Sequence, residues 1–214
     1  MTIIVHHLEN SRSQRVLWLL EELGLPYAIK RYERNKTTLR APPELRKVHP
    51  LGKAPVIEDE GVDGSRRVIA ETGAIVEYLV ERADGRLGAP REREAALRYR
   101  HFLHYAEGSL MPVLLVQLVL GRVPLLGRLA QSKFQPMVDT QTDYVEAQLG
   151  QHPWFAGPNF SAADVMMSFP LEVARSRAGL TPQTHPYICT WLDRIHARPA
   201  YQAALAKGGP YSYA

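Results

Sequence analysis

A chain of 214 residues with 45% hydrophobic content is long enough for two small domains or one large one, and apolar enough for a packed core rather than bulk disorder. Its charge of +4 and pI near 9.2 would suit a nucleic-acid binder only if the basic residues were gathered, and along most of the chain they are mixed with acids. The single cysteine, Cys189, forms no internal disulfide and fits a reducing, cytoplasmic setting; zinc spacings, a P-loop, Gly-x-Gly-x-x-Gly and internal repeats are absent from the sequence.

The N-terminal run Met1–Val5 meets His6, His7, Glu9 and Arg12 with no cleavage site, so no signal peptide is expected. Residues 2–7 read as a strand. Arg12 to Leu23 reads as a helix, with Val16, Leu17, Leu19, Leu20 and Leu23 on a broad apolar face, and Gly24 then Pro26 stop it. Tyr27 to Tyr32 is a second strand. A helix between two strands implies a parallel βαβ unit. A short helix is expected around Pro43 to Val48. Ala54 to Glu58 and Arg67 to Ile69 read as a hairpin turned by Glu60-Gly61-Val62-Asp63-Gly64, followed by a helix over Thr72 to Arg82 with Ile75, Val76 and Leu79 inward. The order βαβ then ββα is that of a thioredoxin-like domain, placed at residues 1–82.

Strand signals then stop. Residues 83–91, rich in Gly and charge, read as a linker, and 92–214 as an all-helical domain. Its helices are expected at Glu92–Leu120, Arg128–Leu149, Ala162–Ala178, Pro186–Ala197 and Ala200–Ala206. Pro112, Pro136 and Pro170 should kink or break three of them. Ser161 and Asp164 form a helix-start signature resembling a capping box. The most apolar stretch, Val113 to Leu120, contains Gln117 and is too short to cross a bilayer.

Two segments point to a ligand. Pro50-Leu51-Gly52-Lys53-Ala54-Pro55-Val56-Ile57 is a turn entering a strand through an X-Pro bond, a place where proline is tolerated and where a cis bond would present the preceding backbone outward. Ala70-Glu71-Thr72-Gly73-Ala74-Ile75 opens a helix, whose unpaired N–H groups and partial positive charge seat a carboxylate. A lysine before the strand and a helix start after it make two anion-binding points, suited to a ligand with a carboxylate at each end and a peptide-like middle. An ordinary turn and capped helix would read the same way. Lys30 to Lys53 carries eight basic and two acidic residues, net +6, and would attract a small anion or simply be a solvated loop.

These segments, in this order, resemble the glutathione-binding half of the glutathione S-transferase family. The similarity extends over the whole chain through Asn10-Ser11-Arg12-Ser13-Gln14-Arg15-Val16-Leu17, through Tyr105-Ala106-Glu107-Gly108-Ser109-Leu110-Met111-Pro112, which is similar to a bacterial and fungal subgroup, and through Phe155-Ala156-Gly157-Pro158-Asn159-Phe160-Ser161-Ala162-Ala163-Asp164-Val165. The resemblance implies a homodimer with a thioredoxin-like N-terminal and an all-α C-terminal domain. It implies an enzyme of detoxification that conjugates glutathione to small hydrophobic electrophiles, with glutathione as co-substrate and without other cofactor, metal, nucleic acid or membrane. Glutathione-dependent peroxide reduction and a non-catalytic glutathione-binding or protein-interaction module are the alternatives.

The thiolate is the attacking form of glutathione, and a free thiol near pKa 8.5 is only a few per cent ionised at neutral pH. By resemblance to serine-type members, Ser11 donates a hydrogen bond to that sulfur; a helix N-cap is its other possible role, and Ser13 is the fallback. Lys53, with Arg40, should meet the glycine carboxylate, and the Ala54 backbone the cysteinyl peptide. Glu71 and Thr72 should hold the γ-glutamyl end. Tyr105, Ser109 and Met111 should line the hydrophobic-substrate pocket. The departures are informative. Asn10 and Ser11 stand where thiol-transferring members carry cysteine, Asn10, Ser11 and Arg12 replace the Ser-Ser-Cys run of the isomerase branch, and His6 and His7 occupy the strand where other members have tyrosine.

Overall fold

The computed structural model describes every residue except Met1, Val62 and Asp63. The chain divides into two compact units, one of residues up to Gly88 together with His196–Ser212, the other of Ala89–Ile195 with Tyr213.

In the first unit β1 (Ile3–Leu8), α1 (Ser13–Leu23) and β2 (Tyr27–Tyr32) form the parallel βαβ element; a short α2 (Leu45–Val48), β3 (Val56–Glu60), β4 (Arg66–Ala70) and α3 (Thr72–Arg82) follow. The sheet order is β2-β1-β3-β4, with β1 parallel to β2 and the other two pairs antiparallel. This is the expected thioredoxin-like arrangement. The middle of the anticipated hairpin turn, Val62 and Asp63, lies outside the described residues; beside it the Gly61 N–H bonds Ser65 O at 2.8 Å.

Gly24 ends α1 at φ 60°, a left-handed conformation, and its N–H bonds the Glu21 and Leu20 carbonyls. The sequence shows one apolar face on α1, yet Trp18 and Leu19 are as fully buried as Leu17 and Leu20. The reason is a correction to the expected domain boundary. The last helix, α9 (Pro199–Gly208), packs on α1 within the first unit rather than in the helical half. Trp18 meets the Tyr201 ring edge-on at 5.2 Å, Arg198 grips the Glu22 carboxylate through Nε at 2.5 Å and a terminal nitrogen at 2.9 Å, and Lys207 reaches Glu21 at 2.5 Å. Residues 83–88, anticipated as linker, also belong here: Ala83 is buried and Arg86 donates to Leu23 O.

The second unit is helical: α4 (Arg93–Tyr105), a π-helical turn (Ala106–Leu110), α5 (Met111–Leu120), α6 (Gly127–Gln151), α7 (Ala162–Arg177) and α8 (Pro186–His196). Of the three prolines, Pro112 marks the expected interruption, and the other two break no helix. Pro136 and Pro170 sit inside unbroken helices, whereas the wide turn precedes Pro112, where the absent N–H and the ring's clash with the carbonyl four residues back make the tighter α geometry unfavourable. The run Arg93–Leu120 is apolar and long enough by composition to cross a membrane. Its Phe102, Leu103, Ala106, Leu110 and Leu114 are buried in this unit, while Leu97, Leu115, Val116 and Val119 are exposed.

Helix α7 carries the anticipated capping box. Ser161 N–H and hydroxyl donate to Asp164 Oδ2 at 2.9 and 3.1 Å, while Oδ1 accepts from Phe155 N–H at 3.0 Å and Trp191 Nε1 at 3.3 Å. One fully buried carboxylate thus ties the helix start to the preceding loop and to α8.

Candidate functional site

Strand register assembles the site. His6 of β1 lies opposite Val56 of β3, and Val56 opposite Ala70 of β4. The end of β1, the entry to β3 and the exit of β4 therefore share one edge of the sheet. The loops leaving that edge carry Ser11, Lys53 with Ala54, and Glu71 with Thr72.

At the β3 entry the Ala54–Pro55 bond is cis, as the sequence suggests. Gly52 turns the chain at φ 58°, and a Cβ there would stand 2.6 Å from Arg46 Cγ, so the turn requires glycine. Ala54 is half-buried against Leu8, Tyr32 and Leu45, which fixes the backbone while the Lys53 side chain stays exposed. Thr72 is buried at the first position of α3, and Glu71 before it has φ 70° and ψ 122°. A positive φ on glutamate is costly, about 1–3 kcal/mol, and persists where surroundings impose it, commonly at ligand sites. The Glu71 side chain makes no cap to the helix, so the first α3 N–H groups are not served by it. Arg40 is exposed in the β2–α2 loop, where Thr38 Oγ1 accepts its backbone N–H at 3.4 Å.

The β1–α1 loop shows what the sequence could not. The Ser11 hydroxyl is buried and donates to Leu8 O at 2.7 Å; its oxygen lies 2.7 Å from Ser13 Oγ and accepts the Ser13 N–H at 3.2 Å. Ser13 Oγ accepts the Leu8 N–H at 3.1 Å and lies 2.9 Å from His7 Nδ1. Burial, helped by the positive charge of Arg31, lowers the His7 pKa to about 4, against a hydrogen bond to the Gly208 backbone that raises it. A neutral imidazole has one N–H; with that N–H on the Gly208 carbonyl, Nδ1 accepts the Ser13 proton. Two hydroxyl protons thus serve inward acceptors. Ser11 turns outward only if Ser13, 3.2 Å from Leu8 O, takes over that carbonyl.

Asn10, at φ 47°, is the neighbour on the outer side. Its Oδ1 accepts the Ser212 N–H at 2.8 Å, so its NH₂ is the amide's donor. Arg34 braces the loop: its N–H donates to Glu9 Oε1 at 2.8 Å and its guanidinium to Glu9 O and Asn10 O at 3.2 Å each.

In the helical unit Tyr105 is buried among His101, Phe102 and Tyr144, and its hydroxyl donates to Gln141 Oε1 at 2.6 Å. Burial, with Tyr144 adding to it, holds its phenol above the ordinary range. Met111 is buried too. Tyr105 and Ser109 share a surface depression with His101, His104 and Gly108; Met111 is not among its lining residues.

Comparison with known proteins decides the kinship. Residues 11–82 match the family described as glutathione S-transferase, N-terminal domain, and residues 129–199 match its C-terminal domain. The chain belongs to the glutathione S-transferase family. It is 33% identical to "Glutathione S-transferase 1" of Saccharomyces cerevisiae, over 96% of this chain and 94% of that one. It is 31% identical to "Disulfide-bond oxidoreductase YfcG" of Escherichia coli, over 90% of this chain and 89% of that one. The crystal structure of a glutathione S-transferase from Actinobacillus pleuropneumoniae superposes with a TM-score of 0.87 at 32% identity, covering 99% and 95% of the two chains. The family fold, thioredoxin-like followed by all-helical, is that read from the sequence.

Proposed function

We propose that this glutathione transferase family member binds glutathione at the shared sheet edge and conjugates its thiolate to small hydrophobic electrophiles. The observation that carries the reading is the register His6–Val56–Ala70, which brings Ser11, Ala54 and buried Thr72 to one edge. Lys53 and Arg40 supply positive charge for the glycine carboxylate, and Ala54 offers its backbone to the peptide. Thr72 and the α3 N-terminus receive the γ-glutamyl carboxylate, with Glu71 beside them. Ser109, beside Tyr105 and Met111, remains the candidate contact for the acceptor. Glutathione serves as co-substrate with no other cofactor, and the setting is cytoplasmic detoxification.

The test is a conjugation assay with a generic chromogenic electrophile beside calorimetric titration of glutathione. Binding without turnover on a broad panel favours a non-catalytic module; absence of binding refutes the proposal. The relative named as a disulfide-bond oxidoreductase favours one second reading, glutathione-dependent disulfide reduction, for which a small disulfide is assayed in parallel. No cysteine stands in the β1–α1 loop, so glutathione itself would supply both thiols. Peroxide reduction is assayed with the same preparation.

Ser11→Ala should lower turnover about tenfold to a hundredfold, since one donor to a charged acceptor is worth roughly 1.5–3 kcal/mol. It should raise the bound thiol's apparent pKa, followed by thiolate absorbance. Lys53→Ala and Thr72→Ala should instead raise the KM for glutathione. If Ser11→Ala leaves turnover and thiol pKa unchanged while Asn10→Ala changes both, the inward Ser11–Leu8 bond persists in the complex and the Asn10 amide is the donor.

A homodimer is expected from the family and from exposed Leu97, Leu115, Val116 and Val119 on α4 and α5. Light scattering at micromolar concentration should give twice the chain mass; a monomer mass refutes this.

A further inference from the structure

The turn joining α5 to α6 carries an apolar tip that none of the roles above uses. Leu125 is 101% exposed, Leu126 67%, Leu129 56% and Val123 45%. All four lie beyond the residues of α4 and α5 expected in the dimer. Hydrogen bonds fix their backbone. Leu126 N–H donates to Pro124 O at 2.7 Å, closing a three-residue turn around Leu125, whose φ of 65° is costly for a leucine. Gly127 then starts α6 with its N–H on Val123 O at 3.1 Å. A Cβ there would stand 2.5 Å from Leu120 O, so this close return requires glycine. Around the tip the charge is of one sign. Residues 108–138 contain no acidic residue, and Arg122, Arg128 and Lys133, all exposed, give the segment +3 of the chain's net +4.

We propose that this tip docks on an anionic phospholipid surface. Contiguous exposed apolar side chains mark an interaction site, and shape and charge select the partner. The leucines project from a turn, and the boundary between headgroups and acyl chains receives such side chains without a preformed pocket. Exposed cations beside them are drawn to an anionic leaflet, and the planar donor fork of arginine pairs with phosphate. The first turn of α6 holds no acid and adds the partial positive charge of a helix start. The docking is peripheral, because the seven residues 121–127 are far too few to span the hydrocarbon. It departs from the family resemblance, which implies no membrane. It lies wholly in the helical unit and uses no glutathione contact, so it stands apart from the conjugation reading.

The test is sedimentation of the full-length chain with vesicles of equal parts phosphatidylglycerol and phosphatidylcholine, beside vesicles of phosphatidylcholine alone. The chain should bind the anionic vesicles at least about tenfold more tightly, and added salt should weaken that binding. Leu125→Ser combined with Leu126→Ser changes no charge and should weaken it at least about tenfold. Arg128→Gln should weaken it at least about threefold. Leu125→Trp should gain a blue-shifted emission on mixing with the anionic vesicles. Circular dichroism and glutathione titration of every variant should match the wild type, so failure here leaves the glutathione reading intact. Equal binding to both vesicles, binding unchanged by the serine pair, or a Leu125→Trp emission that vesicles do not move overturns the proposal. So does a serine pair that turns a dimer into a monomer in light scattering, because the tip then contacts a second copy of the chain.

Discussion

Asp164→Ala is expected to lower the free energy of unfolding by about 4 kcal/mol, within the range for removing one partner of a buried charged network. The carboxylate accepts from Ser161 N–H, Ser161 hydroxyl, Phe155 N–H and Trp191 Nε1, and all of these donors are buried with it. Alanine leaves them without an acceptor and lets water reach none of them. Asp164→Asn keeps one oxygen but sets an NH₂ against the donors, so about half that loss is expected. Urea unfolding with a constant m-value measures both. A loss below about 1 kcal/mol would show that the loop and α8 find other partners for these groups.

The second large effect is acid sensitivity centred on His7. Burial lowers its folded pKa from 6.5 to about 4. The unfolded chain therefore binds the proton more readily, and His7 contributes stability above pH 6.5 that is lost as pH falls toward 4. Between pH 6.5 and 4.5 this amounts to about 2 kcal/mol. His6, whose pKa is also lowered by burial, acts in the same sense. Asp164 acts against them. Burial raises its pKa to about 6, so the folded state takes up the proton first and this group's contribution grows as pH falls from 6 to its ordinary value of 3.8. His101, His152, Glu21 and Glu58, whose pKa values are also lowered, add to the slope of His7, so the wild-type profile is the sum of all these groups and His7→Gln isolates one of them. The variant should lose about 2 kcal/mol less than the wild type between pH 6.5 and 4.5, read as urea midpoints at each pH. Parallel profiles would place His7 outside the acid response.

Much of the fold was legible because the signals are local. Gly24 and Pro26 stop α1, Ser161 and Asp164 start α7, and an 11-residue helix between two strands forces a parallel pair. The sheet edge proposed to take glutathione was legible for the same reason. A glycine-turned entry to a strand and a hydroxyl at a helix start are short patterns with one physical meaning each, and the resemblance placed them in order.

Ser11 shows where local reading ends. A serine before a helix can donate to a ligand or satisfy the chain, and its one proton does the second here, because Leu8 O accepts it while Ser13, itself held by His7, fills its other side. Tyr105 is similar: it lines a surface depression with Ser109, but its hydroxyl is taken by Gln141, thirty-six residues on.

The sequence by itself determined the element order, the two domain classes, the cis proline turn and the capping box, all of which depend on residues within a few positions of one another. Only the tertiary structure decided that α9 returns to bury α1, that the Ser212 N–H orients the Asn10 amide, that Asp164 reaches Trp191, and that Gln117 ties α5 to α6. Those partners lie tens to hundreds of residues apart, and no periodicity records which distant face a side chain will meet once the chain has closed.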